Sequence, residues 1–166
     1  MSAGMLFSGN ALQPVDANGR TVLPPFVVKA LESRCGGSRL VFGPHENDPC
    51  ISSYDEAHEA QLLEDVQRRR LRDEQQGMPA RGHHARARRV FGAAERSAFD
   101  ERGRVTLPPM SRRRARIGAR ALFVGAGDSF EIWDPDTARQ VGDDALRELA
   151  EFALGAAQAR ESEVER

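Results

Sequence analysis

Two stretches, Asp16-Ala17-Asn18-Gly19-Arg20 and Asp100-Glu101-Arg102-Gly103-Arg104, carry residues whose types and spacing suit recognition chemistry. Each begins with an aspartate and ends in an arginine that directly follows a glycine. A guanidinium is planar, permanently charged and forked. It can make paired hydrogen bonds to a phosphate or to the O6 and N7 edge of guanine, which a lysine cannot. At the end of a rigid turn it projects outward, and two such turns present two guanidiniums at a fixed separation. The same spacing also lets each arginine pair with its own aspartate, Arg20 with Asp16 and Arg104 with Asp100. Spacing alone leaves both readings open.

The turns belong to a longer repeat. Residues 16–25 read DANGRTVLPP and residues 100–109 read DERGRVTLPP, with six identities at a constant offset of 84. Gly19 and Gly103 are expected in the left-handed region, with Asp16 and Asp100 accepting hydrogen bonds from the turn amides. Short strands, 6–12 with 21–23 and 94–99 with 105–107, should flank them as two β-hairpins. Pro-Pro then opens a helix in each copy, FVVKALESR and MSRRRARIGAR, because proline at the first turn loses no hydrogen bond. Gly36-Gly37 and Gly118 should stop these helices. Strand pairs RLVFG with CISSY, and ALFVG with SFEIW, complete each half, the second joined by a tight turn over Gly125–Asp128. Asp55 and Asp134 start longer helices. One carries Leu62, Leu63, Val66 and Leu71, and the other, over 136–160, carries Val141, Leu146, Leu149, Phe152, Ala153 and Leu154 at helical spacing. A further short helix is expected in HHARARRVFG.

The implied organisation is a first repeat over 6–72 with its trailing helix, a linker over 73–82, a second repeat over 83–160 and a frayed tail at 161–166. The 166 residues are 40% apolar, below the roughly 45–50% average, with one Trp, one Tyr and eight Phe. Two independent half-size domains would bury too little, so the halves should share one core as a pseudo-dimer. Phe130 and Trp133, taken as alternating positions of one strand, belong to that core.

Charge is uneven although the net is −1. Residues 81–120 hold twelve arginines against three carboxylates, and residues 143–166 hold seven carboxylates against three arginines. Lys29 is the single lysine. The runs RRRAR (112–116) and RARR (86–89) read as solvated surface, as phosphate-neutralising contacts, or as partners for the acidic helix of a neighbouring copy.

Other chemistry is poorly provided for. Cys35 and Cys50 fit no disulfide framework and suggest a reducing compartment. Cys35, His45, Cys50 and His58 form no C-x-x-C or H-x-x-x-H pair, so no metal or other cofactor is expected. GAGD at 125–128 is a hairpin turn and not a phosphate loop. His83-His84 should be solvent-exposed. No nucleophile elbow or motif-placed carboxylate pair is present, which argues against an enzyme and a small-molecule substrate. With no signal peptide or membrane span, a soluble cytoplasmic protein is expected.

The segments DANGRTVLPPFVVKAL, FGAAE, FDERGRVTLPP and LFVGAGDSFEIWDPD together resemble the MraZ family, bacterial regulators encoded at the head of the division and cell-wall gene cluster. The resemblance runs from about Leu6 to Asp136. It implies an α+β fold: a double-repeat, swapped-hairpin β-barrel of the AbrB type, with flanking helices and a pseudo-two-fold within one chain. It further implies a ring-like homo-oligomer, nucleoid association, and binding to direct repeats in promoter double-stranded DNA, usually as a repressor. Carried over onto this sequence, the DNA-contacting turns are Asp16–Arg20 and Asp100–Arg104. Arg20 and Arg104 would make the base-edge contacts, and Asn18 and Arg102 occupy the position commonly basic in the family. Asp16, Gly19, Asp100 and Gly103 would shape the turns. Asn18 replaces the usual lysine, so the first copy is expected to hold phosphate more weakly.

Overall fold

The computed structural model describes residues 5–34 and 37–166; Cys35 and Gly36, half of the expected first helix stop, lie outside them. The first repeat consists of β1 (Asn10–Pro14), β2 (Arg20–Val22), α1 (Pro25–Ser33), β3 (Arg39–Pro44) and β4 (Ile51–Asp55). The second repeats this order with β5 (Glu95–Ala98), β6 (Arg104–Thr106), α4 (Pro109–Arg114), β7 (Arg120–Gly125) and β8 (Phe130–Trp133). Between them lie a 3-10 turn, α2 (Glu59–Gln75), α3 (Ala80–Ala87) and a π-helical turn over Arg88–Gly92. The helices thus reach into both ends of the expected linker. After β8 come α5 (Pro135–Val141) and α6 (Asp144–Val164).

The two expected hairpins do not form as such. Each turn closes, Asp16 N–H donating to the Arg20 carbonyl at 3.0 Å and Asp100 N–H to that of Arg104 at 3.1 Å. The strands then part and pair with the other repeat: β1 with β7, and β2 with β6. In its turn β5 pairs with β3. Pro14 has no N–H to give a β1–β2 ladder, and side chains bridge that gap. Thr21 Oγ1 donates to the Pro14 carbonyl at 2.8 Å, and Gln13 Nε2 to the Val22 carbonyl at 2.9 Å. The second copy keeps a single hairpin bridge, Phe99↔Val105.

This exchange follows a pseudo-two-fold. The six-stranded antiparallel sheet runs β1-β7-β8-β4-β3-β5, an order that reads the same when the repeats are interchanged. Thr21 pairs with Val105, its own equivalent at an offset of 84, and Ser52 pairs with Glu131, its equivalent at an offset of 79. α4 is three residues shorter than α1 and the β7–β8 connection two shorter than that of β3–β4, which accounts for the change. Among the described residues the sheet does not close into a barrel, and β2–β6 forms a separate two-stranded ribbon.

One face of the sheet buries the main core, with Val27, Leu31, Leu40, Phe42, Ile51, Leu107, Phe123, Phe130 and Ile132 drawn from both repeats. The other face holds a smaller cluster in which Leu122 and Trp133 pack with Ala138 and Ala150 of α5 and α6. Phe130 and Trp133 are therefore both buried but on opposite faces, since an odd separation along a strand reverses the side.

Asp55 and Asp134 cap their helices as expected, accepting from the amides of His58 and Thr137. Two helical expectations change. Leu62 and Val66 face the sheet, while Leu71, half a turn round from Leu62, is 60% exposed. The C-terminal helix breaks at Gly142, after which Asp143 caps α6 through the Leu146 amide. Leu146, Ala150, Ala153 and Leu154 form its inner stripe, leaving Phe152 78% exposed.

Candidate nucleic-acid interface

The two turns are built alike. Asp16 Oδ1 accepts from the amides of Asn18 and Arg20, both at 2.9 Å. Asp100 Oδ1 accepts from those of Arg102 and Arg104 at 3.0 and 2.9 Å. These amide bonds, from Arg20 and Arg104 first of all, hold both carboxyls below the usual aspartate range. Gly19 and Gly103 have φ of +82° and +76°, the left-handed conformation expected of them.

The turns are also locked to each other. Leu23 N–H donates to the Gly103 carbonyl and Leu107 N–H to the Gly19 carbonyl, both at 2.8 Å. Each repeat thereby fixes the other's tip.

On the β2–β6 ribbon the side chains alternate in burial. Thr21 and Val105 face the core, while Arg20, Val22, Arg104 and Thr106 face solvent. Arg20 lies opposite Thr106 and Arg104 opposite Val22, so the two guanidiniums stand diagonally on one exposed face. They line the same shallow groove, of about 420 Å³, with Asp16 and Ala98 at its edges. Asn18 and Arg102 are exposed at the turn tips.

The two arginines differ in pairing. Arg104 Nε donates to Asp100 Oδ2 at 2.6 Å, across the turn and in solvent. Arg20 makes no ion pair with a described residue, although its charge also lowers the Asp16 carboxyl. Exposed pairs of this kind are weak and screened by salt, so they leave the arginine available to a stronger acceptor.

Arg112, read from the sequence only as part of the RRRAR run, joins the first turn in space. One of its guanidinium nitrogens would lie 2.6 Å from a methyl group placed on Gly19, and it reaches the Ala17 carbonyl at 3.5 Å. The repeat does contain the signal. Arg112 is the equivalent of Val28, which packs on Gly103 in the same way. The tip that has Asn18 thus gains a cation from α4, while the other tip has Arg102 beside Lys29.

The remaining basic runs separate by role. Arg86 pairs with Asp73 at 3.2 Å and Arg89 lies 3.5 Å from Glu46, so both brace α3 and the π-helical turn. Arg113, Arg114 and Arg116 are exposed and pair with no described residue. His84 is exposed, while His83 is half-buried against its ring. Among the described residues no helix is long and apolar enough to cross a membrane.

Residues 90–161 match the family model described as MraZ protein, putative antitoxin-like. A protein of Saccharophagus degradans named transcriptional regulator MraZ is 31% identical over 133 residues, covering 79% of this chain and 84% of the relative. The protein of that name from Nitratidesulfovibrio vulgaris is 31% identical over 156 residues, covering 90% and 97%. That from Pseudomonas aeruginosa is 32% identical over 133 residues, covering 79% and 82%. Similarity of this extent, on a chain whose two repeats carry equivalent turns, places it: the chain belongs to the MraZ family.

Proposed function

We propose that this protein is a sequence-specific regulator of transcription that represses the division and cell-wall gene cluster by binding direct repeats in promoter double-stranded DNA. It reads them through Arg20 and Arg104. The observation that carries this reading is the placement of both arginines on one solvent-facing side of the β2–β6 ribbon, each anchored by a turn locked to the other repeat. The names of the relatives support the same activity. It is binding alone, without a catalytic step.

A two-stranded ribbon fits the major groove, where forked arginines distinguish guanine. Diagonal positions on such a ribbon are about 7–8 Å apart, and successive bases about 3.4 Å. Arg20 and Arg104 therefore address bases about two steps apart. Asn18, Arg102 and Arg112 border these contacts and meet phosphate.

One forked arginine–guanine contact contributes about 1–3 kcal/mol of discrimination. That is too little to select a promoter, whereas tethered copies on successive repeats bind at high effective concentration. We therefore assign the protein a ring-like homo-oligomer in the cytoplasm, associated with the nucleoid. The exposed Arg113, Arg114 and Arg116 and the acidic outer face of α6 provide opposite charges for such assembly. The exchange of β1 and β5 between repeats supports an AbrB-type swapped-hairpin architecture.

A mobility-shift titration against the DNA upstream of the protein's own gene tests this, run at two salt concentrations with wild type and Arg20→Ala/Arg104→Ala. Selective, salt-weakened binding that disappears in the double mutant is expected. Binding that ignores both sequence and mutation would falsify it.

A further inference from the structure

We propose that His45, Cys50 and Glu131 form a binding site for one divalent cation of the zinc class, independent of the DNA-facing ribbon. Neither cysteine stands in a metal-binding motif, and the third donor is distant in sequence; only the fold brings it near. His45 follows β3, Cys50 precedes β4 and Glu131 lies on β8. Cys50 and Glu131 immediately precede Ile51 and Ile132, which pair across β4 and β8. Alternation along the strands puts both on the sheet face away from the main core, opposite to Ile51 and Ile132.

The potential ligand atoms of these three residues lie within 4.8 Å of one another. His45 Nε2 is 3.4 Å from Glu131 Oε2. The Cys50 side chain is almost wholly buried, and its sulfur has no hydrogen-bond partner among the described residues. Imidazole nitrogen, thiolate sulfur and carboxylate oxygen together suit Zn²⁺ and disfavour Mg²⁺ or Ca²⁺, which take oxygen donors. Tetrahedral coordination at zinc bond lengths places donors roughly 3.3–3.8 Å apart, so the three close by about an ångström.

The surroundings suit such an ion. Glu131 Oε1 accepts from Trp133 Nε1 at 2.8 Å, which orients the carboxylate. Asp48 Oδ2 lies 3.6 Å from His45 Nδ1. His45 Nδ1 accepts from the amides of Asn47 and Asp48 at 3.2 and 3.1 Å, which holds Nε2 toward Glu131. With the ion on Nε2 the ring proton moves to Nδ1, those two amide bonds give way, and the Asp48 carboxylate turns in to accept from Nδ1–H. The Cys50 thiol gives its proton to solvent as the metal–sulfur bond forms. A groove lined by Asp48, Glu131 and Asp143 leaves the fourth position to water.

The test is titration of chelator-treated full-length protein with Co²⁺, followed by Zn²⁺. The expected result is a thiolate-to-cobalt charge-transfer band with tetrahedral d–d absorption, saturating at one equivalent and abolished by Zn²⁺. Cys50→Ser should remove the charge-transfer band, and Cys35→Ser should keep it. His45→Ala, on a partly exposed loop, should weaken Co²⁺ binding by at least about tenfold and remove the rise in Tm on adding Zn²⁺. No charge-transfer band in wild type, or one that persists in Cys50→Ser, overturns the assignment, as does unaltered binding by His45→Ala.

Discussion

Thr21 and Val105, equivalent residues of the two repeats, face each other across the β2–β6 ribbon and both point into the protein. Their outward neighbours are therefore fixed relative to one another: Arg20 precedes one of them and Arg104 the other. The spacing of the two arginines' backbone positions is set by a backbone ladder and by the reciprocal Leu23–Gly103 and Leu107–Gly19 hydrogen bonds. A turn backbone so preorganised loses little conformational freedom on binding, and the ordering cost falls on the two arginine side chains.

The cations beside the turns should act on affinity and not on selectivity. Arg112→Ala at the first tip and Arg102→Ala at the second each remove one phosphate contact. Each is expected to lower affinity for all DNA sequences and to reduce the slope of log K against log salt by about 0.9. Salt-dependent binding measured on repeat-bearing and scrambled DNA checks this. A loss confined to the repeat-bearing DNA would move these residues to the base edges.

The turn carboxyls predict a pH response. Asp16 and Asp100 are held below the ordinary aspartate range, chiefly by the amides of Arg20 and Arg104. A carboxyl lowered on folding stabilises fully above its unfolded pKa, about 3.9, and that contribution fades as pH falls through the lower folded value. Both turns should stay intact throughout neutral and mildly acidic pH. Carboxyl ¹³C titration should place both midpoints below the unfolded value; midpoints at or above it refute the amide-bonded turn.

Gly19→Ala and Gly103→Ala should both destabilise, because a left-handed alanine costs about 1–2 kcal/mol. Gly19 has the larger penalty. Its methyl group would stand 3.2 Å from the Leu107 carbonyl and displace Arg112, whereas the nearest atom at Gly103 is Val28 Cγ2 at 3.4 Å. Thermal melts should show Tm falling by about 2–4 °C per kcal/mol for a chain of this size. Equal Tm values for both variants and wild type would remove the strain argument.

Local chemistry was legible in the sequence wherever it depends on neighbours in the chain. Asp16 and Gly19 announce a turn, Pro25 and Pro109 open helices, and Asp55 and Asp134 cap them. The internal repeat also implied a shared core, and Ile51 against Ile132 joins the two repeats within it. Partner choice was not legible. Whether β1 pairs with β2 or with β7 depends on contacts more than a hundred residues apart, and the same alternation of buried residues serves either. Arg112 against Gly19 was hidden for that reason, as was Glu131 beside His45 and Cys50. Leu71 and Phe152 misled because an apolar residue at helical spacing need not lie on the stripe that finds a neighbour.

The end of α4 provides a stabilising substitution. The helix stops before Gly118, the residue suited to that role, because Arg116 takes the left-handed conformation at φ +57°. Two hydrogen bonds hold it there, from Ile117 N–H to the Arg112 carbonyl at 3.0 Å and from Arg116 N–H to the Arg113 carbonyl at 3.1 Å. This is the Schellman pattern, with the buried Ile117 as its apolar contact. A β-carbon in this conformation costs about 1–2 kcal/mol, and the exposed guanidinium pairs with no described residue to offset it. Arg116→Gly should therefore raise stability by about 1 kcal/mol, somewhat less than the full penalty because glycine also frees the unfolded chain. Urea unfolding should show a higher midpoint with an unchanged slope. A lower midpoint would mean that Arg116 makes a stabilising contact outside its own chain, as expected if it faces the acidic helix of a neighbouring copy, and dilution of the oligomer would then abolish the difference.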